Sequence, residues 1–196
     1  MYVIRPGEPG DHDQLVTLVR GRAEWMRDRG FRRWQGLARS ADALADQLSE
    51  PDWPVWVITD ADGTLLGSTT ATDDTPPLGW TEQERAEPAT FLVSTVTDPT
   101  RAGHGVGMVI AFWALDHAAR QGHQWVRRGV LTDDHGANAG LIRYYRRQGW
   151  RVVRKITHPR RPDITVWSLA RPAEFQCLDD LVAVPYLPAH FGSSTI

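Results

Sequence analysis

The sequence has 196 residues, the size of one domain, which leaves no room for a second full core. With 41% hydrophobic and 23% charged residues and no apolar run near the roughly 18–20 residues a bilayer needs, it reads as a soluble globular protein. Its net charge of −2 argues against a general nucleic-acid binder.

The opening residues lack the basic-then-apolar order of a signal peptide, so the expected compartment is the cytoplasm. Cys177 stands alone, which excludes an internal disulfide. The charge is unevenly spread: residues 42–98 hold 12 Asp/Glu and one Arg, whereas residues 99–161 hold 12 Lys/Arg and three Asp. Apart from Lys155 every basic residue is arginine, through either phosphate recognition or the codon bias of a GC-rich genome.

Residues 2–5 form a short predicted strand ended by Pro6-Gly7. Asp11 then caps a helix carrying Leu15, Leu18, Val19 and Arg22. After an aromatic connecting stretch from Trp25 to Trp34, Ser40 caps a second helix through Leu44 and Leu48. Strands at 55–60 and 64–72 flank Asp62-Gly63, the dipeptide of a tight hairpin. Residues 73–89 are polar and rich in proline and predict a long loop before a strand at 90–96. A glycine-rich turn at 103–107 opens a helix that closes near Gly122. A strand at 125–132, a helix at 138–148 and strands at 150–154 and 163–170 complete the chain, with 171–196 as a tail of little periodicity.

Ala102-Gly103-His104-Gly105-Val106-Gly107 sits between a strand and a helix. There, backbone N–H groups and the positive end of the helix dipole make an anion site. The segment lacks the Gly-Lys-Ser/Thr of a P-loop, and the third glycine of the dinucleotide fingerprint is replaced by Met108. With its neighbours it resembles motif A of the GNAT superfamily of acyl-CoA-dependent N-acyltransferases, a strand ending Val96-Thr97-Asp98-Pro99 followed by the glycine loop. Ala102 stands where that family usually has Arg or Gln, and Arg101 comes one place earlier. Asn138-x-x-Leu141-x-x-Tyr144-Tyr145-x-x-x-Gly149-Trp150 is similar to its motif B. The stretch from Ala23 to Gln35 further resembles a branch acting on small molecules.

The resemblance implies an α/β (α+β) domain over residues 1–170, with a mixed, mostly antiparallel central sheet of six to seven strands and about four helices; residues 171–196 form a C-terminal extension. It implies acetyl-CoA or another acyl-CoA as co-substrate, with the thioester carbonyl near the backbone of Val96 and the phosphates on the loop Arg101, Ala102, Gly103, His104, Gly105, Val106 and Gly107. Tyr145 is then the proton donor to the departing sulfur. Asn138 is either a helix cap or a contact to the pantetheine arm. The general base stays open among a water relay, Asp133, His135 and Glu24. His104 is expected to be solvated, and the seven histidines with one cysteine predict no metal site.

The expected partner is a small-molecule amine. The tryptophans at 25, 34, 53, 56 and 80, together with the acidic surplus of the same half, suit a cationic acceptor stacked on aromatics, with core packing the stronger reading for most of them. A basic band of Arg143, Arg146, Arg147, Arg151, Arg154 and Lys155 is a solvated face or a contact for donor phosphates. It keeps a carrier protein or an aminoacyl-tRNA in view as the donor. A non-catalytic acyl-CoA-binding module is the alternative from another class, and a homodimer is left open.

Overall fold

Seven strands lie in one sheet in the order β1-β2-β3-β4-β5-β7-β6. The computed structural model describes residues 1–133 and 139–182. The strands are β1 (Val3–Pro6), β2 (Val55–Thr59), β3 (Leu65–Thr72), β4 (Ala89–Thr97), β5 (Trp125–Asp133), β6 (Arg151–His158) and β7 (Arg161–Pro172). Six α-helices are described: α1 (His12–Asp28), α2 (Trp34–Arg39), α3 (Ala41–Asp46), α4 (Glu82–Ala86), α5 (Val106–Arg120) and α6 (Ala139–Arg147). Neighbouring strands are antiparallel except β4 and β5, which are parallel and joined by the crossover helix α5. None of the described helices is long and apolar enough to cross a membrane.

The layers follow from the apolar pattern of each helix. Val109, Ile110, Trp113 and Ala114 of α5, with Ile142 and Tyr145 of α6, cover one face over Trp56, Ile58, Leu92 and Val126. Leu15, Val19, Ala41 and Ala45 of α1 and α3 cover the other face over Val55, Val57 and Val96. Each such aliphatic side chain contributes about 1.5–3 kcal/mol on full burial. On that second face, Trp80 packs beside Phe91 and Ala170 under α4.

Several elements differ from the sequence reading. Helix α1 runs on to Asp28 and absorbs Trp25, because Leu15, Leu18, Val19 and Ala23 keep a buried stripe going. The presumed connection also yields the short helix α2. Ser40 does not cap α3: its Oγ donates to the Leu37 carbonyl 2.9 Å away, closing α2 instead. Asp11 does not cap α1 either, since its carboxylate accepts two bonds of 2.7 Å from Arg5. The loop at 73–89 contains α4, held by a reciprocal cap in which Thr81 Oγ1 accepts from the Glu84 N–H and Glu84 accepts from the Thr81 N–H. Beyond β7 the chain turns back. Ala173 N–H donates to Gln124, Gln176 N–H donates to Asp116, and Tyr2 N–H donates to the Leu181 carbonyl.

Candidate active site

β4 and β5 pair over only four positions, from Ala89 opposite Trp125 to Leu92 opposite Arg128, and then part. The cause lies on the other side of β4, where Ser68 faces Val96 but Thr70 faces Val93. Ser94 and Thr95 therefore share one place opposite Thr69, a bulge that bends the strand. Ser94 adopts φ 51°, the sole positive φ of a non-glycine residue among those described. Such a backbone costs on the order of 1–3 kcal/mol and persists only where its surroundings impose it. Here the Thr69 and Thr95 hydroxyls, 2.8 Å apart, help to pin it. The parted strands open a cavity of about 650 Å³ lined by Ser94, Thr95, Arg128, Gly129 and Tyr145, with α2 at its rim.

At the far end of β4, Asp98 accepts 2.8 Å bonds from the Thr100 N–H and hydroxyl and turns the chain into the glycine loop. Gly105 is the N-cap of α5 at φ 76°, a left-handed conformation that a side chain would strain. A Cβ on Gly107 would come 2.7 Å from the Tyr144 hydroxyl, so a side chain there would push that ring aside. No described acceptor takes the N–H groups of Gly103, Gly105, Val106 or Gly107. Four unclaimed donors at the positive end of a 15-residue helix are a site for an anion. A second cavity of about 420 Å³ covers them, with Arg22, Arg101, Ala102, Tyr144 and Arg147 around it.

The residues singled out from sequence fall into three places. Arg101, Ala102, Gly103, Gly105, Val106 and Gly107 line the loop cavity. Arg101 stands 3.9 Å from Asp60, too long for a firm ion pair, and His104 is exposed with its carbonyl accepting from the Tyr2 hydroxyl at 2.8 Å. Val96 turns its side chain into the core beneath α1. Tyr145 is buried at the gap, its ring edge-on to Trp150 at 6.2 Å. Neighbouring Tyr144 is 40% exposed and reaches the glycine loop, and burial of its hydroxyl raises its pKa. Asn138 lies outside the described residues, as does His135.

The structure divides the tryptophans between core packing and other surroundings. Trp56 packs tilted against Trp113 at 4.7 Å inside the core, and Trp80 meets Phe91 edge-on under α4. Trp25 stacks on Phe31 and lies between Arg22 and Arg29. Among the described residues no tryptophan and no carboxylate lines the cavity at Tyr145; Arg32, Arg33, Arg39, Arg128 and Arg161 do. Packing claimed Trp56 and Trp80, whereas Trp53 is exposed and Trp25 lines a separate cavity with Asp13, Glu24 and Asp28; Glu84 serves the scaffold by holding Arg154 at 2.8 Å. That contact pulls the Glu84 pKa down to about 2. It also divides the basic band, of which Lys155 lies over Trp167 and only Arg147 reaches the loop cavity.

A parallel strand pair parted by a bulge, with a glycine loop and helix N-terminus at its mouth, defines the class of GNAT-type acyltransferases. The family model described as "Acetyltransferase (GNAT) family" matches residues 22–150. The chain belongs to that family and is an acetyltransferase of the GNAT type. Among solved structures it is similar to a GNAT-family acetyltransferase from Listeria monocytogenes, with TM-score 0.68 and 14% identity over 87% of this chain and 94% of the other. An N-acetyltransferase from Thermoplasma acidophilum in complex with coenzyme A gives 0.60 and 15% over 86% and 98%. The aminoglycoside 6'-N-acetyltransferase from Enterococcus faecium gives 0.60 and 14% over 89% and 99%. At these identities the likeness is one of fold. No curated protein matches the sequence.

Proposed function

We propose that the protein transfers an acyl group, acetyl in the simplest case, from acyl-CoA to the amine of a small molecule. The observation that carries this reading is the union of two features: four unclaimed N–H groups on the glycine loop, and Tyr145 at the open gap one cavity further on. The residues present suit the donor. Gly103 to Gly107 offer backbone donors to phosphate, while Arg101, Arg147 and Arg22 supply charge where Ala102 supplies none. Arg22 is desolvated, which lowers its pKa, and it makes no ion pair with a described residue. A solved N-acetyltransferase of the same fold is in complex with coenzyme A, which supports a CoA-type donor for this chain. With one residue of the basic band at the loop, a free acyl-CoA suits the cavity better than a carrier protein or a charged tRNA.

The acyl thioester brings an activated carbonyl and a thiolate leaving group. The chain's part is to place that carbonyl at the parted end of β4, around Val96, where a backbone N–H polarises it, and to admit a neutral amine from the α2 side. Tyr145 gives its phenolic proton to the departing sulfur. Its ring is held by Trp150 and by the Arg128 guanidinium 4.2 Å away, so the hydroxyl has one direction to point.

Calorimetric titration with acetyl-CoA tests the donor, and silence at millimolar ligand would overturn it. Tyr145→Phe keeps the ring and removes the hydroxyl. The expected result is a fall of about 100-fold in kcat with donor affinity unchanged. Wild-type turnover in a chemistry-limited assay would remove Tyr145 from the mechanism.

A further inference from the structure

The cavity at Tyr145 is bordered by five arginines, and none of their guanidinium groups makes a hydrogen bond or ion pair with a described residue. Elsewhere arginines have acquired carboxylate partners: Arg5 with Asp11, Arg20 with Asp42, Arg120 with Asp116, Arg127 with Glu87 and Arg154 with Glu84. Two of the five are also withdrawn from water. Arg128 is 7% exposed and its Nε is buried without a partner. The Nη1 of Arg33 is likewise buried and unpartnered. Isolated buried charge costs several kcal/mol unless something pairs with it.

From this we infer that the acceptor amine carries an anionic group, a carboxylate or a phosphate, received by Arg33, Arg128 and Arg161 between α2, β5 and the start of β7. The inference rests on the acyl-transfer reading for what happens to the amine, but the anion site stands on its own geometry. Burial, and then the like charge of Arg161, push the Arg33 pKa down, a crowding that a bound anion relieves. Asp133 and Asp163 also face Arg33 electrostatically, yet neither forms an ion pair with it. An acceptor with an anionic group supplies the partner these guanidinium groups lack. A polyamine supplies none and meets five like charges.

The test uses four small amines sharing a short alkyl chain: 2-aminoethyl phosphate, β-alanine, ethanolamine and 1,3-diaminopropane. Each is titrated into the full chain by protein-detected NMR, with the glycine loop occupied by saturating CoA and again without it. The phosphate and the carboxylate are expected to bind at least about tenfold more tightly than ethanolamine, as charge-assisted bonds allow. In Arg33→Gln/Arg161→Gln, whose residues lie at the rim, that advantage should shrink below about threefold. Equal or tighter binding of ethanolamine or the diamine overturns the inference. So does an anion preference that survives the double substitution or vanishes when CoA is added, since it would then belong to the loop. Release of free CoA thiol, followed with the same amines, separates the two readings. Anion binding without thiol release refutes acyl transfer and keeps the site, whereas acetylation with no anion preference does the reverse.

Discussion

Arg127 and Arg128 are consecutive on β5 and leave the sheet on opposite faces, into surroundings that treat a cation differently. Arg127 reaches the α4 side, where its Nη1 and Nη2 donate to the Glu84 carbonyl and the Glu87 carboxylate, with Trp80 beneath the guanidinium. Arg128 enters the α5–α6 side, where it lies over the Tyr145 and Trp150 rings and has no hydrogen-bonded partner among the described residues. Both are nearly inaccessible to water. One therefore belongs to the scaffold, with its desolvation offset by bonds, while the other is offset by ring faces alone and keeps its donors for the anion proposed above.

The sharpest way to break this contrast is to remove the paired cation. Arg127→Ala leaves a buried carbonyl without its donor and a gap beside Trp80, and should lower stability by about 3 kcal/mol in chemical denaturation. Acetyl-CoA affinity of the folded protein should not change. A loss below about 1 kcal/mol would mean that the pairing is ornamental.

A proton probes the α5 side. His117, stacked on Trp113 at 5.0 Å, has its pKa pushed down to about 4 from 6.5, chiefly by burial and then by the charge of His123. The unfolded chain takes up that proton first as the pH falls. Stability is therefore complete above about pH 6.5 and declines down to pH 4, by about 3 kcal/mol in all. His117→Phe should flatten the decline in that window. The Glu84 carboxylate, with its pKa lowered to about 2 from 4.5 by Arg154, loses its contribution in a separate and more acidic range. A wild-type profile flat between pH 6.5 and 4 would show that the core tolerates charge at His117, and would weaken the case that it resents charge at Arg128.

The smallest effect carries the opposite sign. Arg128→Met keeps most of the volume and removes the unpaired charge, so the protein should be unchanged or more stable by about 1 kcal/mol, while kcat/KM for an anionic acceptor falls. Marked destabilisation would assign Arg128 to the scaffold after all.

The strand order around the glycine loop, and the placement of Gly103 to Gly107 and Tyr145, could be read from local patterns: a β-rich run, a turn, an apolar stripe. Helix α4 had a local signal too, Thr81 and Glu84 at capping-box spacing, hidden by the prolines of the surrounding segment. What could not be read depends on pairing across long separations. The bulge at Ser94 arises from its register with β3. The division of the arginines is of the same kind, because Glu84 and Arg154 are 70 residues apart and Glu87 and Arg127 are 40 apart. Strand alternation alone placed Arg127 and Arg128 on different faces, but not which face held the carboxylates. The acidic surplus of residues 42–98 suggested a cationic ligand, and the pairing of Asp42, Glu84 and Glu87 with distant arginines was out of sight.

The parting of β4 from β5 also gives the molecule four strand edges instead of two. Beyond Leu92 and Arg128 the inner sides of both strands present peptide groups to each other across open space, with only their outer sides paired. An interior notch of this sort can template an extended chain as readily as an outer border can. Whatever occupies it in use also shields those peptide groups from neighbouring molecules. The filled protein is thus expected to be the more durable form in concentrated solution, and the empty one the more prone to strand-to-strand association.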